Sequence, residues 1–353
     1  MSGPARARGF ASDNYAGVLP EVLDAIGTAN SGHAVSYGGD EWTARVEELF
    51  RSHFGDETRT AIVFNGTGAN VVALQALARP WEACLCASTS HLNVDECGAP
   101  ERVAGLKLLA IDTPDGKLAP ELVEPRLVRF GDEHAVQPRV VSITQSSELG
   151  TLYTVDEIRT LADQAHEHGL LLHVDGARLS NAAAALGVSL RAITTDAGAD
   201  VVSFGGTKNG MMLGEAVVFL RADLGAEVAF LRKQSMQLAS KMRFIAAQFE
   251  ALLGDDLWLR TAGHANAMAA RLAAGVDAID GVTITQRVEA NAVFAVLPPG
   301  AAAALQERWR FYVWNEATGE VRWMCSWDTT PDDVDEFAAD VAETVAGSAA
   351  PAN

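Results

Sequence analysis

A lysine and a carboxylate each stand at the end of an apolar segment of this chain. Lys208 follows the apolar run 200–204 and lies on a glycine-rich turn, GGTKNG, at 205–210. Asp175 ends the apolar run that begins at Leu170. A lysine that is partly removed from water can be neutral and nucleophilic. A Schiff-base lysine with a carboxylate aimed at a pyridinium nitrogen is how proteins hold pyridoxal phosphate.

Two features near these residues have both a functional and a simpler explanation. The turn 65–70 follows an apolar run and opens a helix, so its free N–H groups could bind a phosphate, but glycine is common in any tight turn. The carboxylate of Asp175 needs a cationic partner, which is either a protonated pyridine nitrogen or the nearby Arg178. We favour the cofactor for Asp175, because Gly176 and the downstream lysine fit it.

His91 and Arg322 are further candidates beside or within apolar runs. An imidazole at 91 can stack on a planar cofactor or carry a proton, although a lone histidine after a strand is more often a surface residue. Arg322 lies in the otherwise apolar run 321–327, where a guanidinium needs either a substrate carboxylate or a structural one. The polar segment 10–15 is either a disordered leader or an ordered arm that enters a site.

The elements that must position these residues follow from the hydrophobic pattern. From about residue 60 to 220, short apolar runs alternate with amphipathic stretches, one of which starts at a capping box formed by Thr154 and Glu157. This alternation predicts an α/β fold with a mostly parallel sheet between helices, whose ligands bind beyond the carboxyl ends of the strands. The predicted strands are 60–64, 83–87, 106–111, 139–144, 170–174, 200–204 and 215–220.

The last third of the chain predicts a smaller α+β unit. A long helical stretch from about 223 to 253 should link the two units. The further predicted elements are a helix at 262–274, strands near 282–285, 292–296, 310–314 and 321–327, and a last helix from about 330. We therefore expect an N-terminal arm at 1–15, a large domain at 16–250 and a small C-terminal domain at 251–353.

Composition limits the partners. The net charge of −19 over 353 residues argues against nucleic acid and anionic membranes, since both need basic patches. No apolar run reaches membrane-spanning length, and no signal peptide is apparent. The cysteines lack metal-site spacing and predict free thiols in a reducing compartment; they are Cys84, Cys86, Cys97 and Cys325. We expect a cytoplasmic protein with no metal.

Over nearly its whole length the chain resembles the low-specificity L-threonine aldolases of the beta-eliminating lyase group, in the bacterial branch that also holds phenylserine-cleaving enzymes. The most specific segments are GTGAN (66–70), HVDGARLSNA (173–182), GGTKNG (205–210) and KQSMQLASKMRFIAAQFEAL (233–252). The resemblance implies the aspartate-aminotransferase-like fold, fold type I of the pyridoxal-phosphate enzymes. It also implies cleavage of L-3-hydroxy amino acids to glycine and an aldehyde, by a dimer or tetramer with sites between subunits.

The resemblance implies a role for each candidate residue. Lys208 would form the Schiff base, Asp175 would keep the pyridine nitrogen protonated and His91 would stack on the ring. The other cofactor contacts would be Gly66, Thr67, Arg178, Thr207 and, from a neighbouring subunit, Lys241. The substrate and its carboxylate would be held by Ser12, Tyr37, Arg178 and Arg322.

One segment departs from the family pattern. Many members carry a histidine in an Asn-Thr-His-Asn-Gly segment that contacts the substrate hydroxyl, and in this chain Glu148 stands in its place within QSSELG (145–150). The catalytic base is then His91, Glu148 or a water held by them. The alternative functions are a lyase of the same fold that eliminates at Cβ, an aminotransferase, and a non-catalytic nucleotide-binding α/β protein.

Overall fold

The computed structural model describes residues 8–348 and contains two sheets. The strands of the larger sheet are β1 (Arg59–Val63), β2 (Glu82–Ala87), β3 (Lys107–Ile111), β4 (Gln137–Thr144), β5 (Leu171–Gly176), β6 (Val201–Gly205) and β7 (Glu215–Phe219). Their order across the sheet is β1-β7-β6-β5-β4-β2-β3. All pairings from β3 to β6 are parallel, whereas β7 is antiparallel to β6 and β1. The predicted α/β fold with a mostly parallel sheet is confirmed.

Twelve α-helices accompany the two sheets within the described residues. They are α1 (Pro20–Ala29), α2 (Glu41–Phe54), α3 (Gly66–Leu77), α4 (His91–Val94), α5 (Pro120–Val123), α6 (Val155–Glu167), α7 (Leu179–Leu186), α8 (Val228–Gln234), α9 (Arg243–Leu253), α10 (Leu257–Val276), α11 (Ala301–Gln306) and α12 (Pro331–Ser348). The predicted capping box at the start of α6 is present in full. Between residues 8 and 348, no helix combines the length and the apolar character needed to cross a membrane.

Successive residues of the larger sheet enter different cores, because helices cover both of its faces. On β7, Ala216 and Val218 pack in the core that contains Phe50 of α2 and Phe249 of α9. Val217 and Phe219 point the other way and pack in the core formed with α3 and α8. A sheet that is buried on both faces reads as continuous apolar runs, which explains why its strands can be recognised in the sequence.

The smaller sheet is antiparallel and has its own core. Its strands are β8 (Thr283–Ile284), β9 (Ala292–Val296), β10 (Tyr312–Asn315) and β11 (Glu320–Met324) in the order β10-β11-β9-β8. Phe10 from the N-terminal segment enters this core and stacks on Phe337 with ring centroids 4.5 Å apart. Residues 8–15 are therefore an ordered arm and not a disordered leader, whereas residues 1–7 of the predicted arm lie outside the described part.

The prediction of one long helical stretch over 223–253 is wrong. The chain forms α8 and α9 there, separated by the segment 235–242. Met236 has a φ of +62°, which no right-handed helix tolerates. The side chain of Gln237 turns toward the start of α3 and accepts a hydrogen bond from the N–H of Phe64 at 3.0 Å. This contact with a distant part of the chain outweighs local helix propensity.

Candidate functional site

The carboxyl ends of β2, β4, β5 and β6 open into one cavity. Six of the predicted site residues line it: Gly66, His91, Glu148, Asp175, Arg178 and Lys208. These residues are far apart in sequence and meet because parallel strands end at the same edge of the sheet. The cavity therefore has an amine, a guanidinium, two carboxyl groups and an imidazole within one enclosure.

Lys208 sits in a short 3-10 turn, Thr207–Asn209, directly after β6. The turn is fixed by Gly210, at a φ of +98°, and by the Thr207 hydroxyl, which accepts a hydrogen bond from the N–H of Gly214 at 3.1 Å. No described residue accepts a hydrogen bond from Nζ of the lysine. Burial, and then the nearby charge of Arg178, lower the pKa of Lys208. A less protonated lysine is a better nucleophile toward a carbonyl carbon.

Asp175 is buried at the end of β5 and is held by two donors. Asn70 Nδ2 donates to Oδ2 at 2.8 Å and the N–H of Ala177 donates to Oδ1 at 3.1 Å. The simpler explanation of this carboxylate, an ion pair with Arg178, is wrong. Arg178 instead donates from Nε and Nη2 to the buried carboxylate of Asp13, at 2.7 and 2.9 Å. Asp175 thus has no cationic side chain bound to it among the described residues and is placed to pair with a cation in the cavity.

Glu148 has one oxygen occupied and one free. Its Oε1 accepts hydrogen bonds from the N–H of His91 and from Thr144 Oγ1, both at 2.8 Å. Its Oε2 is buried and has no hydrogen-bond partner among the described residues. Burial raises the pKa of Glu148 to about 7. A carboxyl group with this pKa and a free oxygen can exchange a proton near neutral pH.

His91 begins α4, so its imidazole stands at the cavity wall. Nδ1 lies 2.9 Å from Oε1 of Glu96, a carboxylate with no exposed side-chain surface. The hydrogen bond to Glu96 raises the pKa of His91 in spite of the partial burial of the ring. The imidazole therefore holds a proton more firmly than an exposed histidine does.

Arg322, on β11, is a partly buried guanidinium without a carboxylate partner among the described residues. Its Nε has no hydrogen-bond partner, and Nη2 makes one long contact of 3.4 Å with the carbonyl oxygen of Ala11. The guanidinium carbon lies 4.7 Å from the centre of the Trp314 ring. Burial lowers the pKa of Arg322 to about 10. A structural salt bridge to Arg322 is thus absent from the described part, and the free donors suit an anion.

Arg322 and the other predicted residues do not line the cavity. Ser12 caps the short helix Asp13–Tyr15 by accepting a hydrogen bond from the N–H of Asn14 at 3.2 Å. Tyr37 is about half exposed, at a φ of +61°, and its N–H donates to Ser240 O at 2.9 Å. Lys241, the residue after Ser240, is exposed. The remaining two are Thr67, in the first turn of α3, and Thr207, beside Lys208.

The sequence did not single out three buried residues of the site. Asp13 holds Arg178, Asn70 holds Asp175, and Glu96 holds His91. Asn70 ends the GTGAN motif and Asp13 follows Ser12, so both lie inside segments that the sequence does mark. Glu96 lies in no recognised motif, and its role depends on a side-chain contact that the hydrophobic pattern does not encode.

The site fits pyridoxal phosphate. The N–H groups of Gly66 and Thr67, in the first turn of α3, have no acceptor in the described residues, because the side chain of the cap residue Asn65 accepts only from Gly68. Free N–H groups at a helix start bind phosphate well. Lys208 offers a free amine at the same cavity, and Asp175 offers a buried carboxylate to the pyridine nitrogen.

Glu215, the first residue of β7, supports the turn that contains Lys208. It is buried, and its Oε2 accepts a hydrogen bond from the N–H of Gly206 at 3.0 Å. Burial raises the pKa of Glu215 from 4.5 to about 7. The folded chain therefore binds more protons than the unfolded chain between these values, and the contribution of Glu215 to stability is lost as the pH rises through 7.

Glu215→Gln should consequently stabilise the cofactor-free protein at high pH only. We expect its free energy of unfolding to rise by roughly 3 kcal/mol at pH 8 and to change little at pH 4.5. Urea unfolding at the two pH values measures this difference. An equal change at both would mean that the ionisation of Glu215 is not linked to folding.

Known proteins provide an independent comparison. Residues 9–298 match the family described as beta-eliminating lyase. The chain is 47% identical over 334 residues to the low specificity L-threonine aldolase of Pseudomonas aeruginosa, covering 94% of this chain and 96% of that protein. It is 45% identical over 334 residues, with the same coverage, to that of a Pseudomonas species. A solved threonine aldolase structure from Leishmania major matches with a TM-score of 0.90 at 31% identity, covering 95% of this chain and 99% of that chain.

Proposed function

Because the chain belongs to the beta-eliminating lyase family, we propose that it is a pyridoxal-phosphate-dependent lyase that cleaves L-threonine and related L-3-hydroxy amino acids to glycine and an aldehyde. The relatives that match over nearly the whole chain are named for this activity. The observation that best supports the chemistry is the pair of Lys208 and Asp175 at one cavity, with the free N–H groups of α3 at the same site.

Pyridoxal phosphate, when bound, supplies the electron sink that makes a bond at Cα easy to break. Lys208 would provide the amine that holds it, and the lowered pKa of this amine makes the neutral, reactive form more accessible than it is for an exposed lysine. Asp175 would keep the pyridine nitrogen protonated, because its carboxyl group has no cationic side chain bound to it among the described residues. Gly66, Thr67 and Thr207 would hold its phosphate, and His91 would stack on its ring.

Arg322 orients the substrate by binding its carboxylate through the donors that have no protein partner in the described part of the chain. Ser12 lies next to Ala11, which Arg322 contacts, and assists from the arm. Arg178 is held by Asp13 and adds positive charge at the cavity wall. A fixed carboxylate lets the chain select which bond at Cα lies perpendicular to the cofactor ring, in this case the bond to Cβ.

Glu148 is the general base that removes the proton from the β-hydroxyl group. Its Oε2 has no other partner between residues 8 and 348, and its pKa of about 7 suits proton transfer at neutral pH. His91 is less suited to this role, since the hydrogen bond to Glu96 raises its pKa and favours the protonated ring.

The assignment of the base predicts a pH dependence. A base must be deprotonated to act, so kcat/KM for L-threonine should rise with pH through about 7. Glu148→Gln should lower kcat/KM at pH 8 by about 100-fold and remove this rise. Glu121→Gln, which changes an exposed glutamate on α5, is the matched control. A rise through pH 7 that survives in Glu148→Gln would assign the base to another group.

We also propose that the protein is a homodimer or homotetramer of the cytoplasm, with sites shared between subunits. A second copy would cover an exposed apolar surface around the segment 235–242, where Met236 is 80% and Phe230 77% exposed. Tyr37 and Lys241 lie on this surface and would reach the site of the neighbouring subunit. Sedimentation equilibrium of the wild type and of Met236→Glu tests this assembly, and a monomeric wild type would contradict it.

Steady-state kinetics with a panel of substrates tests the proposed activity. We expect cleavage of L-threonine, L-allo-threonine and phenylserine when pyridoxal phosphate is present, with weaker activity on serine. A hydrophobic pocket discriminates between such β-substituents by only about 1–3 kcal/mol per methylene, so several substrates should react. Activity confined to the D isomers would contradict the proposal.

A further inference from the structure

A continuous chain of hydrogen bonds runs from Asp175 to the ring of His91. Asn70 Nδ2 donates both to Asp175 Oδ2 and to Glu96 Oε1, each at 2.8 Å. The same Oε1 of Glu96 lies 2.9 Å from His91 Nδ1. Asn70 and Glu96 are both nearly inaccessible, so this chain is closed to solvent between its two ends.

The direction of the hydrogen bonds is fixed by the acceptors. A carboxylate only accepts, so the atom of Asn70 that faces two carboxylates must be the amide nitrogen with its two hydrogens. For the same reason His91 must donate from Nδ1 to Glu96. The ring is then held in one orientation, with Nε2 as the nitrogen that has no partner among the described residues.

We propose that Glu96 is a positioning residue that fixes the imidazole of His91 through Nδ1, and that Asn70 joins this pair to Asp175. The ring nitrogen left to face the cavity is then His91 Nε2, which can donate a proton there when the imidazole carries both of its protons. Glu96 itself does not line the cavity and acts only through His91. The consequence for catalysis rests on the proposed function, whereas the effect on His91 does not.

The charges around His91 agree with this assignment. Glu96 makes the largest contribution to the raised pKa of His91, Asp175 adds to it, and Lys208 opposes it. Glu148, from the segment after β4, contacts only the backbone N–H of His91. Removing the carboxylate of Glu96 should therefore change the ionisation of His91 more than removing any other single charge.

Glu96→Gln tests the proposal, because the amide has nearly the same shape and no charge. The rate at which diethyl pyrocarbonate modifies His91, followed by peptide mass spectrometry against pH, gives the pKa of this residue in the full chain without added cofactor. The side chain of His91 is 37% exposed, which allows the reagent to reach it. We expect the pKa of His91 to fall in Glu96→Gln.

Asp95→Asn is the matched control, since it removes the neighbouring carboxylate, which is exposed and makes no hydrogen bond to His91. We expect the titration of His91 to be unchanged in it. An unchanged titration in Glu96→Gln would overturn the proposal. If Glu96→Gln does not fold, the titration of His91 in the wild type tests the proposal instead. A wild-type pKa of His91 at or below about 6.5 would overturn the proposal.

The catalytic consequence has a separate readout in the enzyme with pyridoxal phosphate. A donor must be protonated, so kcat for L-threonine in Glu96→Gln should fall by about 10-fold, and its decline at high pH should begin at a lower pH than in the wild type. A lowered pKa of His91 without this change would overturn the catalytic role. Loss of aldolase activity in the wild type would contradict the proposed function and leave the titration result standing.

Discussion

Lys208→Ala is expected to lower kcat/KM for L-threonine by about 10⁴-fold or more, which is the size of effect seen when an enzyme loses its covalent group. Lys208 lines the cavity and its Nζ has no hydrogen-bond acceptor among residues 8–348, and its lowered pKa equips it to bind a carbonyl compound covalently. The loss should appear in kcat, because Arg322 can still bind the substrate carboxylate.

The control for this change is Lys107→Ala, which removes an exposed lysine from β3. We expect it to retain the wild-type kcat/KM. Borohydride reduction followed by peptide mass spectrometry should find the cofactor on Lys208 of the wild type and on no peptide of Lys208→Ala. A variant that cleaves threonine at the wild-type rate would remove Lys208 from the mechanism.

Asp175→Asn should lower kcat by about 10³-fold with little change in the fold. The amide fits the same space at the end of β5 but has no charge to keep a pyridine nitrogen protonated. The new amide keeps one oxygen, which can still accept the hydrogen bond from Asn70 Nδ2 while Asn70 stays bonded to Glu96. The fall in kcat should therefore come from the missing negative charge and not from a change in structure.

Asp163→Asn, at an exposed position of α6, is the control for the loss of one carboxylate. Thermal unfolding of both variants separates a catalytic loss from unfolding. If Asp175→Asn keeps more than about a tenth of the wild-type kcat, the charge of Asp175 does not sustain the protonated pyridine nitrogen.

The strands of the larger sheet could be predicted closely because both of its faces are buried. Each strand is then a short apolar run between polar turns, and its position can be read from composition alone. The break between α8 and α9 could not be found in this way. It depends on the contact of Gln237 with Phe64, residues that are far apart in sequence.

The candidate site was predictable where a residue lies on a strand end or a recognised motif. Lys208 and Asp175 are conspicuous because a charged residue at the end of an apolar run needs an explanation. The partner of Arg178 was not predictable, since Asp13 reaches it from the arm. Glu96 could not be found for the same reason, because its importance comes from a hydrogen bond to His91.

The central claim is that the chain breaks the Cα–Cβ bond of threonine, and the products test it most directly. Purified protein with pyridoxal phosphate and L-threonine should give glycine and acetaldehyde in equal amounts, with no ammonia. Ammonia and a keto acid in place of glycine would contradict the claim, because they would mean that the site eliminates at Cβ. Transfer of the amino group to a keto acid would contradict it equally, because the protein would then be an aminotransferase.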